Sequence, residues 1–217
     1  IYSFSSLSCY ETCPQQFYRR YVARDALPAD TAQTLQGTKV HESIEHALTS
    51  ATPLPPEWAD MEPMIAPVRR KMPLARVEQA IHLNRQFEHA VDKLESGFVA
   101  KIDVMVINPE TRRAVIIDWK TGKPRKETLQ QDCYALAVML AYPDVEHVTT
   151  FNSYVMRGET SKPRDYTRQD IPLLRMELTR RVAQIEADTR WAPRQGIPFP
   201  CHYCSAHKCP SHPEFVV

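Results

Sequence analysis

A chain of 217 residues, 43% hydrophobic and 24% charged, has the length and balance to bury a sizeable core as one large domain. Its formal net charge of +1 excludes a uniformly basic nucleic-acid binder but leaves room for a local basic groove. The longest apolar run, ALAVMLAY at 135–142, falls well short of a bilayer span, and the five glycines form no GxxxxGK[ST] loop, so neither a membrane nor a nucleoside triphosphate is expected as a partner.

Residues 5–22 read as a helix opened by a serine cap, with Leu7, Tyr10, Phe17 and Tyr21 as apolar contacts and Pro14 marking a break or a second start. Nothing in this stretch has the apolar core of a signal peptide. Residues 35–49 give a second helix with Val40, Ile44, Ala47 and Leu48 on one face. Pro53, Pro55, Pro56, Pro63, Pro67 and Pro73 then mark a loop or an irregular helical insertion. Residues 79–87, 97–107 and 113–119 read as strands, and NPETR joins the last two as an antiparallel hairpin. KETLQQDCYALAVMLAY is a strongly periodic helix stopped by Pro143, HVTTFNSYVM is a further strand, and TRQDIPLLRMELTRRVAQIEADTRWA is a long last helix. This order predicts a mixed α/β core, about 35–190, within one domain over 1–217, with end segments of about 1–22 and 195–217.

The chemistry concentrates in VIIDWKTGK, 115–123. Alternation along that strand places Asp118 and Lys120 on one face and Ile117 and Trp119 on the other. In the neighbouring strand, Phe98, Ala100, Ile102, Val104 and Val106 share a core face, which turns Asp103 the opposite way with Lys101 and Met105. Two carboxylates on adjacent antiparallel strands then converge beside a lysine. Like charges that close repel unless a cation lies between them. A divalent metal supplies that cation, and the lysine can polarise an attacking water. Taken alone, an Asp-x-Lys at a strand end is an ordinary solvated pair.

In context, Asp103 followed after a hairpin by DWKTG resembles the PD-(D/E)XK nuclease signature, with Asp118 in the D/E position. More narrowly it resembles the RecB/AddB branch, which also includes the CRISPR-adaptation nucleases. SFSSLSCYETCPQQFYRRYV resembles that branch's opening segment, GTKVHESIE its G-x-x-x-H helix, and Gln130 with Tyr134 its QxxxY element. The closing cysteines resemble its iron–sulfur staple. Two departures stand out. Ala100 occupies a place where the family often has glycine, and the tail is spaced C-x2-C-x4-C rather than the commoner C-x2-C-x5-C.

The resemblance implies a PD-(D/E)XK core with a mixed central sheet flanked by helices, and a divalent-metal-dependent DNA exonuclease for recombination, repair or end processing. His41, Asp103, Asp118 and the Trp119 carbonyl would hold magnesium or manganese, and Lys120 would serve the water. Gln130 and Tyr134 would touch DNA near the scissile phosphate. Glu45 and Glu78 are further candidates near the metal. Lys123, Arg125, Lys126, Arg19 and Arg20 are either exposed basic positions or phosphate contacts.

Six cysteines without an export signal point to a reducing compartment, where thiols more often bind metal than form disulfides. That favours the cytoplasm of a bacterial, archaeal or phage-infected cell. Cys13, Cys201, Cys204 and Cys209 would clasp the two ends around a 4Fe–4S cluster. Zinc stays open because His202 and His207 lie among them. Cys9 is an alternate ligand, and Cys133 reads as a buried thiol. DNA is the expected partner, joined by a helicase or recombination protein. The competing readings are a CRISPR-adaptation-type nuclease, a catalytically silent DNA-binding adaptor of the same fold, and a zinc-binding structural protein.

Overall fold

A computed structural model of the chain describes residues 1–26, 31–124, 128–194, 201, 204, 205, 209 and 211. Ser3 opens α1 (Phe4–Thr12) with a reciprocal capping box to Ser6. Cys13 then adopts an extended backbone, and Pro14 starts α2 (Pro14–Phe17), which runs into a π-helical turn at Tyr18–Val22. The break falls where a proline cannot continue a helix. Leu7, Tyr10 and Phe17 are buried, whereas Tyr21 is exposed. The second helix, α3 (Ala32–Thr49), begins three residues earlier than expected, capped by Thr31, and buries Val40, Ile44, Ala47 and Leu48. The proline-rich passage is a helical insertion, a 3-10 segment at Pro56–Met61 followed by α4 (Glu62–Arg69).

One mixed seven-stranded sheet lies at the centre. Its first strand, β1 (Tyr2–Ser3), pairs in parallel with β3 (Phe98–Asn108), and β2 (Ala75–Leu83) pairs antiparallel with β3 along most of its length. A hairpin joins β3 to β4 (Arg113–Lys120), its turn tied by the Asn108 side chain, which accepts from the Glu110 and Thr111 amides. A crossover through α5 (Leu129–Ala141) returns to β5 (His147–Tyr154), parallel to β4. Short strands β6 (Glu159–Thr160) and β7 (Arg164–Thr167) cover the far edge of β5 before α6 (Ile171–Ala187). Among the described residues, no helix is long and apolar enough to cross a membrane.

Two apolar layers sandwich this sheet. One gathers α1, α5 and α6 over Ala100, Ile102, Met105, Ile116 and Val148. The other packs α3 and α4 over Val104, Ile117 and Trp119. With both faces covered, β4 is buried on both sides from Ile116 to Trp119, whereas β3 alternates from Phe98 to Val104, with Lys101 exposed, and loses the alternation where Val104 and Met105 are both buried. The expected grouping of β3 side chains therefore needs correction. Met105 is fully buried, and Ile102 and Val104 belong to opposite layers. Simple alternation breaks between them, at Asp103.

Strand β2 also departs from expectation, running from 75 to 83 rather than from 79 to 87. Asn84 ends it, because its side-chain carbonyl accepts from the amides of Gln86 and Glu88 and folds the chain into a turn.

Candidate active site

The sheet forks at its catalytic-looking end. Backbone pairing of β3 with β4 runs from Asn108–Arg113 as far as Val104–Ile117 and then ceases, and β1 takes over that edge of β3 at Phe98 and Val99. A side chain fills the next place in the ladder: the Trp119 amide donates to Asp103 Oδ2 at 2.7 Å. Asp103, Asp118 and Lys120 all lie at this opening.

Asp118 is 4% exposed and faces α5. A buried carboxylate must be paired and hydrogen-bonded to persist. Gln130 Nε2 donates to its Oδ1 at 2.8 Å and Tyr134 Oη donates to the same oxygen at 3.1 Å. Lys120 Nζ lies 2.5 Å from the other oxygen, close enough for an ion pair though off the line of a hydrogen bond, and donates to Gln130 Oε1 at 2.7 Å. Gln130 Nε2 also contacts Tyr134 Oη at 2.7 Å. One turn of helix separates Gln130 from Tyr134, so both reach the same carboxylate. Burial, then the neighbouring Asp118 and Asp103 charges, push the Tyr134 phenol far above its ordinary range, which keeps it a donor.

The opposite side of the fork carries different partners. His41 Nδ1 lies 3.6 Å from Asp103 Oδ2. Donor atoms of His41, Glu78 and Asp103 all fall within 4.8 Å of one another, the one such triad among the described residues. Burial, and next the Asp118 charge, raise the Asp103 carboxyl to about 8 against the opposing Trp119 amide. Burial also lowers the His41 imidazole and favours its neutral, lone-pair-bearing form, with the Asp118 charge opposing. Burial and the Glu45 charge raise Glu78. Acids facing one another beside a neutral imidazole, their repulsion only partly offset by Lys101 and Lys120, fit a divalent ion with oxygen and nitrogen ligands, as manganese or magnesium prefers.

Helix α3 carries His41 past the loop after β4, with Gly37, one turn earlier, close enough that an added Cβ would lie in van der Waals contact with Thr121 Oγ1, at 3.4 Å. Glu78 reaches Asp103 through a left-handed backbone, φ +49°, in the register place opposite Asp103 between the Val77–Val104 and Gln79–Ile102 pairs. Sequence reasoning had only proximity to a strand start to suggest Glu78, because nothing local announces that conformation. Of the expected ligands, the Trp119 backbone is hydrogen-bonded to His41 while its ring packs in the α3–α4 layer. Gln130 and Tyr134, expected against DNA, are both buried and direct their polar atoms at Asp118 and Lys120.

Lys123 lines a cavity next to Lys120. Arg19 pairs with Asp25, and Arg20 reaches Ser205 Oγ at 3.5 Å. Arg125 and Lys126 lie outside the described residues, as do His202 and His207.

The two ends of the chain pack together. Trp191 stacks on Phe17 with ring centroids 5.7 Å apart, and Tyr10 Oη donates to Asp188 at 2.9 Å. Gln16 Nε2 donates to Cys204 Sγ at 3.4 Å, and Cys9 Sγ donates to Gln16 Oε1 at 3.6 Å. Cys209 and Cys204 form a small apolar cluster with Ala26. Burial pushes the Cys9 thiol up to about 11, which disfavours the thiolate that a metal needs. Cys133 is fully buried in the core. Among the described residues no three cysteine sulfurs gather within 4.8 Å, so the termini meet without a formed four-thiol cage.

Comparison with known proteins agrees with this architecture. The profile of the PD-(D/E)XK nuclease superfamily matches residues 1–209. A search of curated proteins returned no match. Among solved structures, one described as "Crystal structure of SSO0001" superposes with a TM-score of 0.52 at 14% identity, over 97% of this chain and 86% of that one, a likeness of fold.

Proposed function

Given that the chain belongs to the PD-(D/E)XK nuclease superfamily, we propose that it hydrolyses DNA phosphodiester bonds with magnesium or manganese, working from an end in recombination, repair or end processing. The observation that carries this reading is the fork itself. It sets a His41–Glu78–Asp103 donor triad on one side of Trp119 and an Asp118–Lys120 pair on the other.

A divalent ion at the triad, with Asp118 completing the acidic set, would supply positive charge for phosphate oxygens and acidify a bound water. The chain's own groups do the rest. Lys120 presents its ammonium at the mouth of the fork, held there by Asp118 and Gln130, where it can orient a water and offset charge on the phosphate. Tyr134 and Gln130 fix the Asp118 carboxylate so that Lys120 cannot swing away with it. These donors cost no reorganisation during the reaction, which is where preorganised groups gain their effect.

Linear end-labelled DNA tests the reading. Degradation is expected with added magnesium or manganese and none in excess chelator. Robust cleavage in chelator overturns it.

The RecB/AddB affinity and the cysteine clasp belong to the same proposal. Their support is the packing of Tyr10 and Phe17 against Asp188 and Trp191, of Gln16 against Cys204, and of Ala26 against Cys204 and Cys209. A 4Fe–4S cluster held by Cys13, Cys201, Cys204 and Cys209 would close a loop of nearly the whole chain and stabilise it accordingly. Anaerobically purified protein would be brown. Colourless protein holding one zinc changes the metal, and thiols that all titrate in stable, active protein remove the clasp.

A further inference from the structure

Lys101 is a second cation at the acids, and the roles given to the fork leave it unassigned. It stands on β3 two residues before Asp103, roughly 6.5 Å along the strand. Its neighbours Ala100 and Ile102 belong to the α1–α5–α6 layer. Lys101 therefore projects from the other face, the one over which α3 carries His41. That face is uncovered here. Lys101 is exposed, its β2 partner Ala80 is exposed, and so is Glu78, which lies opposite Asp103. An open strip of sheet thus leads from Lys101 to the donor triad.

The two lysines of the site differ in how they are held. Lys120 is tied to Asp118 and Gln130. Lys101 has no hydrogen-bond or ion-pair partner among the described residues. It acts on Glu78 through space: burial and the Glu45 charge raise that carboxyl, and Lys101 opposes them. A divalent ion in the triad changes this balance. Glu78 then faces the metal, and Lys101 becomes a further positive charge on the open approach to it. Neighbouring cations on an accessible face draw in an anion that can touch both. A DNA strand offers one phosphate to the metal and the next to the lysine, which binds phosphate as a point charge. Ala80 carries nothing beyond Cβ and leaves the space over Lys101 clear.

We propose that Lys101 holds a DNA phosphate adjoining the scissile one, over the open β2–β3 face, and so fixes the side from which the substrate strand reaches the metal. The inference rests on the nuclease reading and deepens it. The contact is to the backbone, so it positions the strand without any base preference.

Binding measured apart from cleavage tests this. The full chain is titrated with a fluorescent DNA oligonucleotide at several salt concentrations, with calcium, another oxygen-seeking cation, in place of magnesium. Lys101→Gln should weaken binding about fivefold at about 50 mM salt, the upper end for an exposed charge pair. The deficit should shrink to about twofold at about 200 mM, because losing one phosphate contact lowers the salt slope by roughly 0.7–0.9. Lys101→Arg should keep the parent slope. Ala80→Glu leaves Lys101 in place, sets a carboxylate opposite it and should reproduce the loss. Both positions are exposed, where substitutions change stability little. In magnesium, Lys101→Gln should raise KM for DNA more than it lowers kcat. An unchanged salt slope in Lys101→Gln overturns the proposal, and a lowered metal requirement beside it would mark Lys101 as a charge partner of Glu78 alone. Absence of DNA binding by the parent protein overturns it as well. Failure of the nuclease reading shows differently, as DNA that survives magnesium and manganese while the Lys101-dependent slope persists.

Discussion

Two carboxylates face each other across the fork, and the protein treats them differently. Asp118 is paired from within: two neutral donors reach one oxygen, and an ammonium lies in ion-pair contact with the other, which accepts no hydrogen bond, all supplied by α5 and its own strand. Asp103 has one amide and a neutral imidazole, with Glu78 and Asp118 repelling it. The first side is a charge-paired network that orients groups. The second is an unbalanced acidic pair whose missing partner is a cation. Asp118 is the more deeply buried of the two, its side chain 6% exposed against 13% for Asp103, and it also has the larger count of donors. The site therefore divides its labour, with alignment assigned to α5 and cation affinity to α3 and β2.

That division can be broken most sharply at its catalytic end. Lys120→Ala should lower DNA cleavage by at least ~10²-fold, the scale of losing one preorganised charge-stabilising donor, with an unchanged circular dichroism spectrum. Near-wild-type turnover would show that the lysine only neutralises Asp118. On the other side, His41→Ala should raise the metal concentration needed for half-maximal activity by roughly tenfold or more, with manganese restoring part of the rate. An unmoved metal requirement would make His41 a boundary histidine and dissolve the distinction between the two sides.

Smaller changes sharpen it. Tyr134→Phe deletes one donor to Asp118 and leaves the ring's packing. A single hydrogen bond of about 1 kcal/mol predicts a loss of about fivefold in turnover, with the metal requirement unmoved. If the metal requirement shifts instead, the two sides act as one. Glu78→Gly should work in reverse. Relief of the left-handed backbone is worth about 1–3 kcal/mol, of which glycine's extra chain entropy takes back about 0.5–1 kcal/mol. Stability should therefore rise by about 1 kcal/mol, or roughly 2–4 °C in melting temperature, while metal affinity falls. Ala51→Gly, at φ +52° and distant from the acids in sequence, should raise the melting temperature without touching the metal. A Glu78→Gly protein that gains no stability would place the strain elsewhere.

Much of this was legible from residue order. The β3–β4 hairpin, the crossover helix and the buried stripe of α3 follow from periodicity and turn chemistry, and these elements position Asp103, Asp118, Lys120 and His41. What was not legible has particular causes. Strands β1, β6 and β7 span only two to four residues, too few to show alternation. Strand β2 was displaced because Asn84 bends the chain through its side chain, an event invisible to hydrophobic pattern. The change of face in β3 after Asp103 was hidden because Val104 and Met105 are both buried apolar residues, one in each layer, so composition there carries no contrast. The roles of Gln130 and Tyr134 depended on a contact across the sheet face that only the docking of α5 creates. Glu78 depended on a backbone conformation that glutamate rarely adopts.

The seam between the termini has an optical consequence. The chain contains three tryptophans, and they occupy distinct places. Trp191 is wedged among Phe17, Tyr10 and Tyr18 where the two ends meet, and Trp119 is sealed in the α3–α4 layer with its backbone at the fork. Opening the ends would bathe the first indole in water while the second stayed dry. Emission from a Trp191→Phe protein therefore reports the α3–α4 layer, which holds both Trp119 and the partly buried Trp58, and its difference from the parent protein reports the seam. Each half of the fold carries its own lamp, and the order in which they redden on heating would reveal which gives way first.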